Sequence, residues 1–191
     1  MLLDYSPDDI DVRIADLLVA TADASDDALD ARVQEVLRLL RDRLAMDVVF
    51  VSRFENGRRT FTHVEQAANA TPIAPGQSDP LEESWCQRVV DGRLPELVAD
   101  ARPYVERRAV PPAPFPIGSH LSTPVPAGDG QPLGTLCCFS FTPREGVGTA
   151  DIKRLKYAAE LLSAKLAPKR RLTADDMELQ PIERADAPRR A

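Results

Sequence analysis

IGSHLSTPV, residues 117–125, and QPLGTLCCFSF, residues 131–141, are two strand-like segments separated by a short connection. Both contain many apolar and small hydroxyl residues, as strands do. The connection contains Asp129-Gly130, a dipeptide that favours a tight hairpin turn. We therefore expect residues 117–141 to form an antiparallel hairpin.

Strand alternation divides the side chains of this hairpin between two faces. A tight turn brings four residues together on one face, with His120 opposite Phe139 and Ser122 opposite Cys137. Cys138 then points to the other face, opposite Leu121. One face of the hairpin is therefore polar and aromatic, and the adjacent cysteines point in opposite directions.

A second hairpin lies upstream. Asp47–Phe54 and Arg58–Gln66 read as strands joined by Asn56-Gly57, the usual filler of a two-residue turn. This register predicts that Phe50 faces His63 and that Ser52 faces Phe61.

Amphipathic helices flank these hairpins. The first is predicted to begin at Ser6, and the second and the last carry apolar residues at spacings of three and four. In the second helix these are Leu29, Val33, Val36, Leu37, Leu40 and Leu44. In the last, from a Thr149 cap to about Leu166, they are Ile152, Leu155, Ala159, Leu162 and Leu166. We expect the early and late helices to cover one face of a single sheet, and the second and last helices to supply a homodimer seam.

The middle of the chain is predicted to cover the opposite face. Asp79-Pro80 begins a helix that carries Trp85 and ends at Gly92, and the apolar piece Leu94–Ala99 follows. Pro103–Pro116 contains five prolines and is predicted to be an irregular lid loop. The fold class is then α/β (α+β), with a central antiparallel sheet between the two layers.

Composition excludes several classes of function. A net charge of −6 and 5% aromatic residues argue against nucleic-acid binding. No apolar run approaches the ~20 residues that span a bilayer, and the N-terminus lacks a signal-peptide pattern, so we expect a cytoplasmic protein. Three cysteines, two histidines and no C-x-x-C predict neither a disulfide framework nor a zinc site.

Five segments follow one another along the chain: SWCQRVVDG (84–92), Leu94-Pro95, Ala99-Asp100-Ala101, Ile117–Val125 and Gly134–Ser140. In this order they resemble the corresponding segments of bacterial GAF domains. The resemblance implies a ligand pocket on one face of the sheet, flanking helices that often pair in dimers, and a non-enzymatic sensory function. It divides the chain into a helix and linker at 1–25, a sensory domain at 26–167 and a charged, disordered tail at 168–191.

The tail carries a further resemblance. Leu179-Gln180-Pro181-Ile182 is similar to the opening of EAL cyclic-di-GMP phosphodiesterase domains. GAF domains of this kind are often found upstream of GGDEF and EAL domains, which implies an association with cyclic-di-GMP signalling and a signalling-protein partner.

The pocket is predicted between the Trp85 helix, the Pro-rich loop and the polar face of the late hairpin. Its candidate ligand-binding residues are Trp85, Cys86, Asp100, His120, Ser122, Cys137 and Phe139. No catalytic residue and no metal ligand is predicted. The mixture favours a small, planar or partly apolar ligand. The alternatives are that His120 is a structural histidine, that Asp100 caps a turn, and that Cys86 is a redox-inert core residue.

Other ligands and activities of this fold find less support. The chain resembles free methionine sulfoxide reductase in the position of Cys86, but His120, Cys137 and Phe139 stand where that family carries carboxylates. No bilin Cys-His pair and no cyclic-nucleotide signature occurs, and haem through His63 or His120 has no flanking support. The cofactor therefore stays unknown, and a thiol-based redox enzyme or sensor is the alternative function.

Overall fold

A computed structural model describes residues 8–19, 26–68, 73–127 and 130–166. Its helices are α1 (Asp9–Val19), α2 (Asp26–Leu44), α3 (Trp85–Val90), α4 (Arg102–Glu106) and α5 (Thr149–Leu166). Its strands are β1 (Val48–Glu55), β2 (Arg58–Gln66), β3 (Ser78–Pro80), β4 (Leu97–Val98), β5 (Ser119–Pro126) and β6 (Pro132–Ser140). The Ser6 cap, Asp129 and the tail motif at 179–182 lie outside the described residues.

The six strands form one antiparallel sheet in the order β3-β2-β1-β6-β5-β4. The fold class is therefore a mixed helical and antiparallel-sheet architecture, as predicted. In the late hairpin His120 pairs with Phe139, and Ser122 with Cys137, which confirms the predicted register. The two cysteines of β6 accordingly belong to different hydrophobic clusters on opposite faces of the sheet.

The early hairpin differs from its prediction by one residue. Asn56 and Gly57 have φ values of 52° and 71°, as a tight turn requires, and Ser52 pairs with Phe61 as predicted. A bulge then shifts the register, so that Phe50 pairs with Val64 and His63 pairs with Val51. The predicted pairing of Phe50 with His63 is wrong, because one extra residue in a strand moves the next side chain to the other face.

One face of the sheet is covered by α1, α2 and α5. The apolar stripes of α2 and α5 are buried against aliphatic residues of β1, β5 and β6, and Ile14 and Leu18 of α1 join the same cluster. Arg154 of α5 is almost completely buried and forms ion pairs at 2.5 Å with Asp8, 3.3 Å with Asp11 and 3.6 Å with Asp151. This face is thus a closed aliphatic core with one buried ionic cluster.

The opposite face is covered by α3, α4 and the chain between them and β5. Helix α3 begins later than predicted, because Ser84 rather than Asp79 caps it by accepting a hydrogen bond from the Gln87 N–H. Asp79 belongs to β3, and a 3-10 turn at Leu81–Glu83 connects it to α3. Gly92, with φ at 74°, follows α3 in the left-handed conformation.

The prediction that Pro103–Pro116 is irregular throughout is wrong at its beginning. Arg102–Glu106 forms helix α4, in which Pro103 occupies the first turn, where it sacrifices no helical hydrogen bond. The described residues after α4 run without regular structure to β5.

None of the helices in the described ranges is both long and apolar enough to cross a membrane.

Candidate functional site

A cavity of about 380 Å³ lies on the face of the sheet opposite α2 and α5. Its walls are mainly aromatic and aliphatic: Phe50, Phe61, Ile73, Trp85, Phe115, Ile117 and Phe139. Phe115 of the Pro-rich segment stacks on Phe139 of β6, with ring centroids 5.1 Å apart. The Trp85 indole N–H donates to the Pro111 carbonyl at 3.0 Å, so the same segment is attached to α3. The Pro-rich segment therefore forms one wall of the cavity.

A few polar side chains interrupt this apolar lining. They are Arg59, Gln77, Ser78, Asp79, Glu83, Ser84, His120 and Cys137. An apolar cavity with a small number of placed polar groups is the usual composition of a small-molecule site.

Arg59 is the cation of the cavity. It stands directly opposite Asp79 in the β2–β3 pair and donates to that carboxylate through Nε at 3.0 Å and through Nη2. Its guanidinium carbon also lies 4.6 Å from the Phe61 ring centroid. The remaining amine, Nη1, donates to Cys86 Sγ at 3.2 Å. One partly buried cation therefore holds a carboxylate and a thiol at the same time.

The thiols of Cys86 and Cys137 meet beside this cation. Both are completely buried and free of disulfide bonds. Cys137 donates a hydrogen bond to Cys86, and Cys137 Sγ also lies 3.1 Å from His120 Nε2. His120 interacts with Cys86 as well. Residues from β2, α3, β5 and β6 thus converge in a cluster of Arg59, Cys86, His120 and Cys137, which we call the thiol cluster.

The thiol cluster distributes charge unequally between its cysteines. The Cys137 hydrogen bond holds the pKa of Cys86 well below its usual range, and the positive charge of Arg59 adds to this effect against the cost of burial. Burial raises the pKa of Cys137, and the neighbouring Cys86 raises it further. Cys86 is therefore the more acidic thiol of the pair, and Cys137 the less acidic one.

His120 has one satisfied nitrogen and one unsatisfied nitrogen. Its Nδ1 is buried and has no hydrogen-bond partner within the described ranges. The ring itself lies 5.3 Å from the Trp85 ring centroid and lines the cavity. A buried polar atom without a partner is costly in an empty site, and a ligand atom in the cavity would remove that cost.

The structure distributes the predicted ligand-binding residues in three ways. Trp85, His120, Cys137 and Phe139 line the cavity. Cys86 lies behind the lining, against Arg59 and Cys137, and Ser122 is completely buried outside it. Trp85 and Cys86, which are adjacent on α3, are both buried. Helix α3 lies between two apolar clusters, and each residue faces one of them.

Asp100 does not lie in the cavity lining. It forms an ion pair with Arg102 at 2.6 Å and accepts a hydrogen bond from the Arg102 backbone N–H at 3.0 Å. It therefore has the turn-capping role that was the alternative prediction.

Sequence reasoning missed Arg59, Asp79 and Glu83. For Arg59 a signal existed, because it lies two residues before Phe61 in a predicted strand and must share its face. The sequence around Asp79 is typical of a helix cap, and its contact with Arg59 depends on a short strand that has no apolar alternation. Within the described ranges, no group of three or more metal-ligating side chains is placed to hold a metal ion.

Comparisons with known proteins agree with this architecture. The family model described as "GAF domain" matches residues 26–167. No curated protein matches the chain. Among solved structures, the chain is similar to the GAF domain of an Acinetobacter phosphoenolpyruvate-protein phosphotransferase. The identity is 20%, the coverage is 82% of this chain and 89% of that one, and the TM-score is 0.64.

Two chromophore-binding structures are also similar. One is the chromophore binding domain of Stigmatella aurantiaca phytochrome P1, with 15% identity, 88% and 63% coverage of this and that chain, and TM-score 0.61. The other is the phycocyanobilin-bound GAF domain of a cyanobacterial phytochrome, with 14% identity, 84% and 94% coverage, and TM-score 0.62. At these identities the likeness shows the fold alone, whereas the family model covers most of the chain. The chain belongs to the GAF domain family.

Proposed function

We propose that this protein is a non-enzymatic sensory module that binds a small molecule in the aromatic cavity. The observation that supports the proposal most is the unpartnered, buried Nδ1 of His120 on the wall of a cavity of about 380 Å³. Trp85, His120, Cys137 and Phe139 contact the ligand in this proposal. Cys86 and Ser122 support those residues from behind, and Asp100 does not contribute.

The charges of the cavity restrict the ligand. Arg59 is already paired with Asp79 and Cys86, and Glu83 adds another carboxylate. A polyanion would therefore find no free cluster of cations. The aromatic walls favour a planar or partly apolar molecule with at least one group that hydrogen-bonds to His120.

A bilin chromophore is one ligand class to test, because two of the similar structures are chromophore-binding domains. The completely buried Cys86 and Cys137 are not placed like exposed attachment sites. We expect no covalent chromophore, and an absorbance scan of the freshly purified protein checks this.

The signal leaves the cavity through β5 and β6. His120 and Cys137 face the ligand, while their chain neighbours Leu121 and Cys138 pack in the cluster that contains α5. A ligand that shifts these strands therefore changes the packing of α5 on the opposite face. In this proposal α5 passes the signal to a partner protein.

The experiment begins with native mass spectrometry of freshly purified protein to identify the ligand. His120→Ala and Trp85→Ala are then compared with the wild type by titration. His63→Ala is the matched control, because His63 lies on the helix-covered face, where its Nε2 is 3.1 Å from Asp30. We expect both cavity variants to weaken binding at least tenfold and the control to have no effect. If neither weakens binding by more than about twofold, roughly 0.4 kcal/mol, the ligand lies elsewhere.

Homodimerisation through α2 and α5 stays a prediction. The structure places their apolar stripes within the domain, with Val33, Leu37, Leu155 and Leu162 all fully buried. A dimer must therefore use the outer residues of these helices. A monomer by light scattering at roughly tens of micromolar would contradict it.

The remaining assignments belong to the same proposal. They are a helix and linker at 1–25, a sensory domain at 26–167, a tail at 168–191, a cytoplasmic location, and an association with cyclic-di-GMP enzymes that rests on residues 179–182. Ile14 and Leu18 of α1 are buried in the aliphatic cluster that also contains residues of α2 and α5.

The alternative activity resembles free methionine sulfoxide reductase. It is supported by thiols beside the cavity, but His120 and Cys137 occupy the positions of that family's carboxylates. We expect no consumption of free methionine sulfoxide in the presence of a thiol reductant, and turnover would establish the enzyme.

A further inference from the structure

The thiol cluster has a composition that ligand binding does not explain. A structural cysteine in an apolar core is a protonated thiol, and Cys138 is such a residue, because burial raises its pKa. Cys86 is equally buried but has different neighbours. It touches a guanidinium, a second thiol and an imidazole. These are the neighbours that favour a thiolate.

We propose that Cys86 and Cys137 form a dithiol redox site, in which a small hydroperoxide that enters the cavity oxidises the pair to a disulfide. The inference does not depend on the ligand of the preceding proposal, because it concerns the residues at and behind the inner wall of the cavity. It adds a modification site to a domain otherwise interpreted as a ligand-binding module.

The chemistry balances in two steps. The Cys86 thiolate attacks one peroxide oxygen, so that an S–O bond forms, the O–O bond breaks, and the departing alkoxide or hydroxide takes a proton from water. The Cys137 sulfur then attacks the sulfenic sulfur of Cys86. An S–S bond forms, the S–O bond breaks, and hydroxide leaves with the Cys137 proton as water. Two electrons pass from the two sulfurs to the peroxide.

The geometry assigns each role. Arg59 Nη1, 3.2 Å from Cys86 Sγ, stabilises the attacking thiolate. Cys86 and Cys137 pack in the same cluster, so the two sulfurs are neighbours that must approach to about 2.05 Å for the disulfide to form. His120 Nε2, 3.1 Å from Cys137 Sγ, is placed to relay the Cys137 proton to the departing hydroxide. Cys138 points to the other face and cannot resolve the reaction.

Access to the pair is through the cavity. Cys137 and Arg59 line it, and Cys86 packs directly behind them among Phe50, Phe61 and Phe139. In this proposal a small hydroperoxide reaches Cys86 when these side chains move apart. A bulky alkylating reagent requires a larger displacement of the same side chains. We therefore expect the ratio of the peroxide rate to the alkylation rate to be higher at this pair than at an exposed thiol.

Oxidation changes the cavity. The disulfide removes the negative charge that Arg59 Nη1 contacts, while the contacts of Arg59 with Asp79 remain. Trp85 is the only tryptophan of the chain and immediately precedes Cys86 in the sequence. Its ring centroid lies 5.3 Å from that of His120. Its fluorescence therefore reports the reaction from inside the site.

The experiment treats the full-length native protein with a small excess of hydrogen peroxide, removes the peroxide and unfolds the protein in an alkylating reagent. The reduced protein has three free thiols. We expect one alkylated cysteine after oxidation, an intact mass lower by about 2 Da before alkylation, and a Cys86–Cys137 cross-linked peptide. The Trp85 fluorescence should change with the same rate constant and return on addition of a dithiol reductant.

Variants separate the roles. Cys138→Ser is the matched control, since it removes a buried cysteine adjacent to Cys137, and it should retain the cross-link and its rate. Cys137→Ser should stop at a sulfenic acid on Cys86. Arg59→Gln should slow the reaction by about tenfold or more at neutral pH, because an ordinary thiol is only a few per cent thiolate there.

Three results would overturn the proposal. One is retention of all three thiols in folded wild-type protein after peroxide. Another is a cross-link that includes Cys138. The third is oxidation of Cys86 to a sulfinic acid without any disulfide. All three results are measured on the wild-type protein, so the test does not depend on whether the variants fold.

Discussion

The two faces of the central sheet have opposite physical characters although the same strands build them. The face under α1, α2 and α5 is filled by aliphatic side chains and is closed by the ion pairs of Arg154. The face under α3 and the Pro-rich segment is lined by aromatic rings, encloses a cavity and contains the thiol cluster. Stability is concentrated on the first face, and candidate chemistry is concentrated on the second.

The adjacent cysteines of β6 show the same contrast at the scale of one residue. Both are completely buried. Cys138 packs among aliphatic residues, whereas Cys137 meets His120 and Cys86. Because the two residues are equally buried, their different neighbours result only from the face of the sheet to which each side chain points.

The largest effect is expected on the helix-covered face. Arg154→Met removes the cation 3.3 Å from the fully buried Asp11, and removing one partner of a buried ion pair costs about 3–5 kcal/mol. The free energy of unfolding from denaturant titration measures this cost. Arg154→Met combined with Asp11→Leu should recover a large part of it, and failure to recover would show that the charges themselves are not the source of the loss.

A smaller contrast is expected from two truncations, one on each face. Leu121→Ala empties a fully buried site and should cost about 2–5 kcal/mol. Phe115→Ala removes more atoms, but from a half-buried side chain beside an existing cavity, so we expect a loss of about 1 kcal/mol. Denaturant midpoints of the two variants check the order. Equal losses would show that the cavity face is packed as tightly as the other.

The third prediction concerns pH. The pKa of Cys86 is lower in the folded protein than its value of about 8.5 in the unfolded chain. At a pH between the folded and the unfolded pKa, Cys86 is therefore protonated more in the unfolded chain than in the folded protein. Stability from this residue is therefore fully present above about pH 8.5 and is lost as the pH falls through the folded pKa, by up to about 1.4 kcal/mol per pH unit. Cys86→Ser should lose this slope, whereas Cys138→Ser should keep it. Parallel curves for the wild type and Cys86→Ser would contradict a buried thiolate.

The smallest expected difference is kinetic. In native protein Cys138 should resist alkylation until unfolding, because it packs in the closed aliphatic cluster. Cys137 should react earlier through the cavity that it lines. Peptide mapping after timed alkylation, with Cys137→Ser as the control, gives the two rates. Equal rates would indicate that only global opening exposes either thiol.

Much of the frame could be predicted because it is encoded locally. Asn56-Gly57 specified its hairpin turn, and the three–four spacing of α2 and α5 specified which helix faces would be buried. The period of two in the late hairpin placed His120 and Phe139 on one face and Cys138 on the other. The division between the two faces therefore followed from the sequence.

The candidate site could be predicted only in part. The bulge beside Thr62 moved His63 to the helix-covered face, where it meets Asp30, and an inserted residue of this kind has no clear local signature. The position of Asp100 just before the Pro-rich segment predicts a pocket carboxylate. In the structure it forms an ion pair with Arg102, two residues away, and does not line the cavity.

By itself the sequence determined the fold class, the two layers and the parity of the late hairpin, because turns and side-chain periods depend on neighbours in the chain. Only the tertiary structure decided that Arg59, Cys86, His120 and Cys137 meet, because they come from β2, α3, β5 and β6. Their pKa shifts arise from through-space contacts a few ångströms long between residues up to 78 positions apart, Arg59 and Cys137. No periodicity along the chain encodes such contacts.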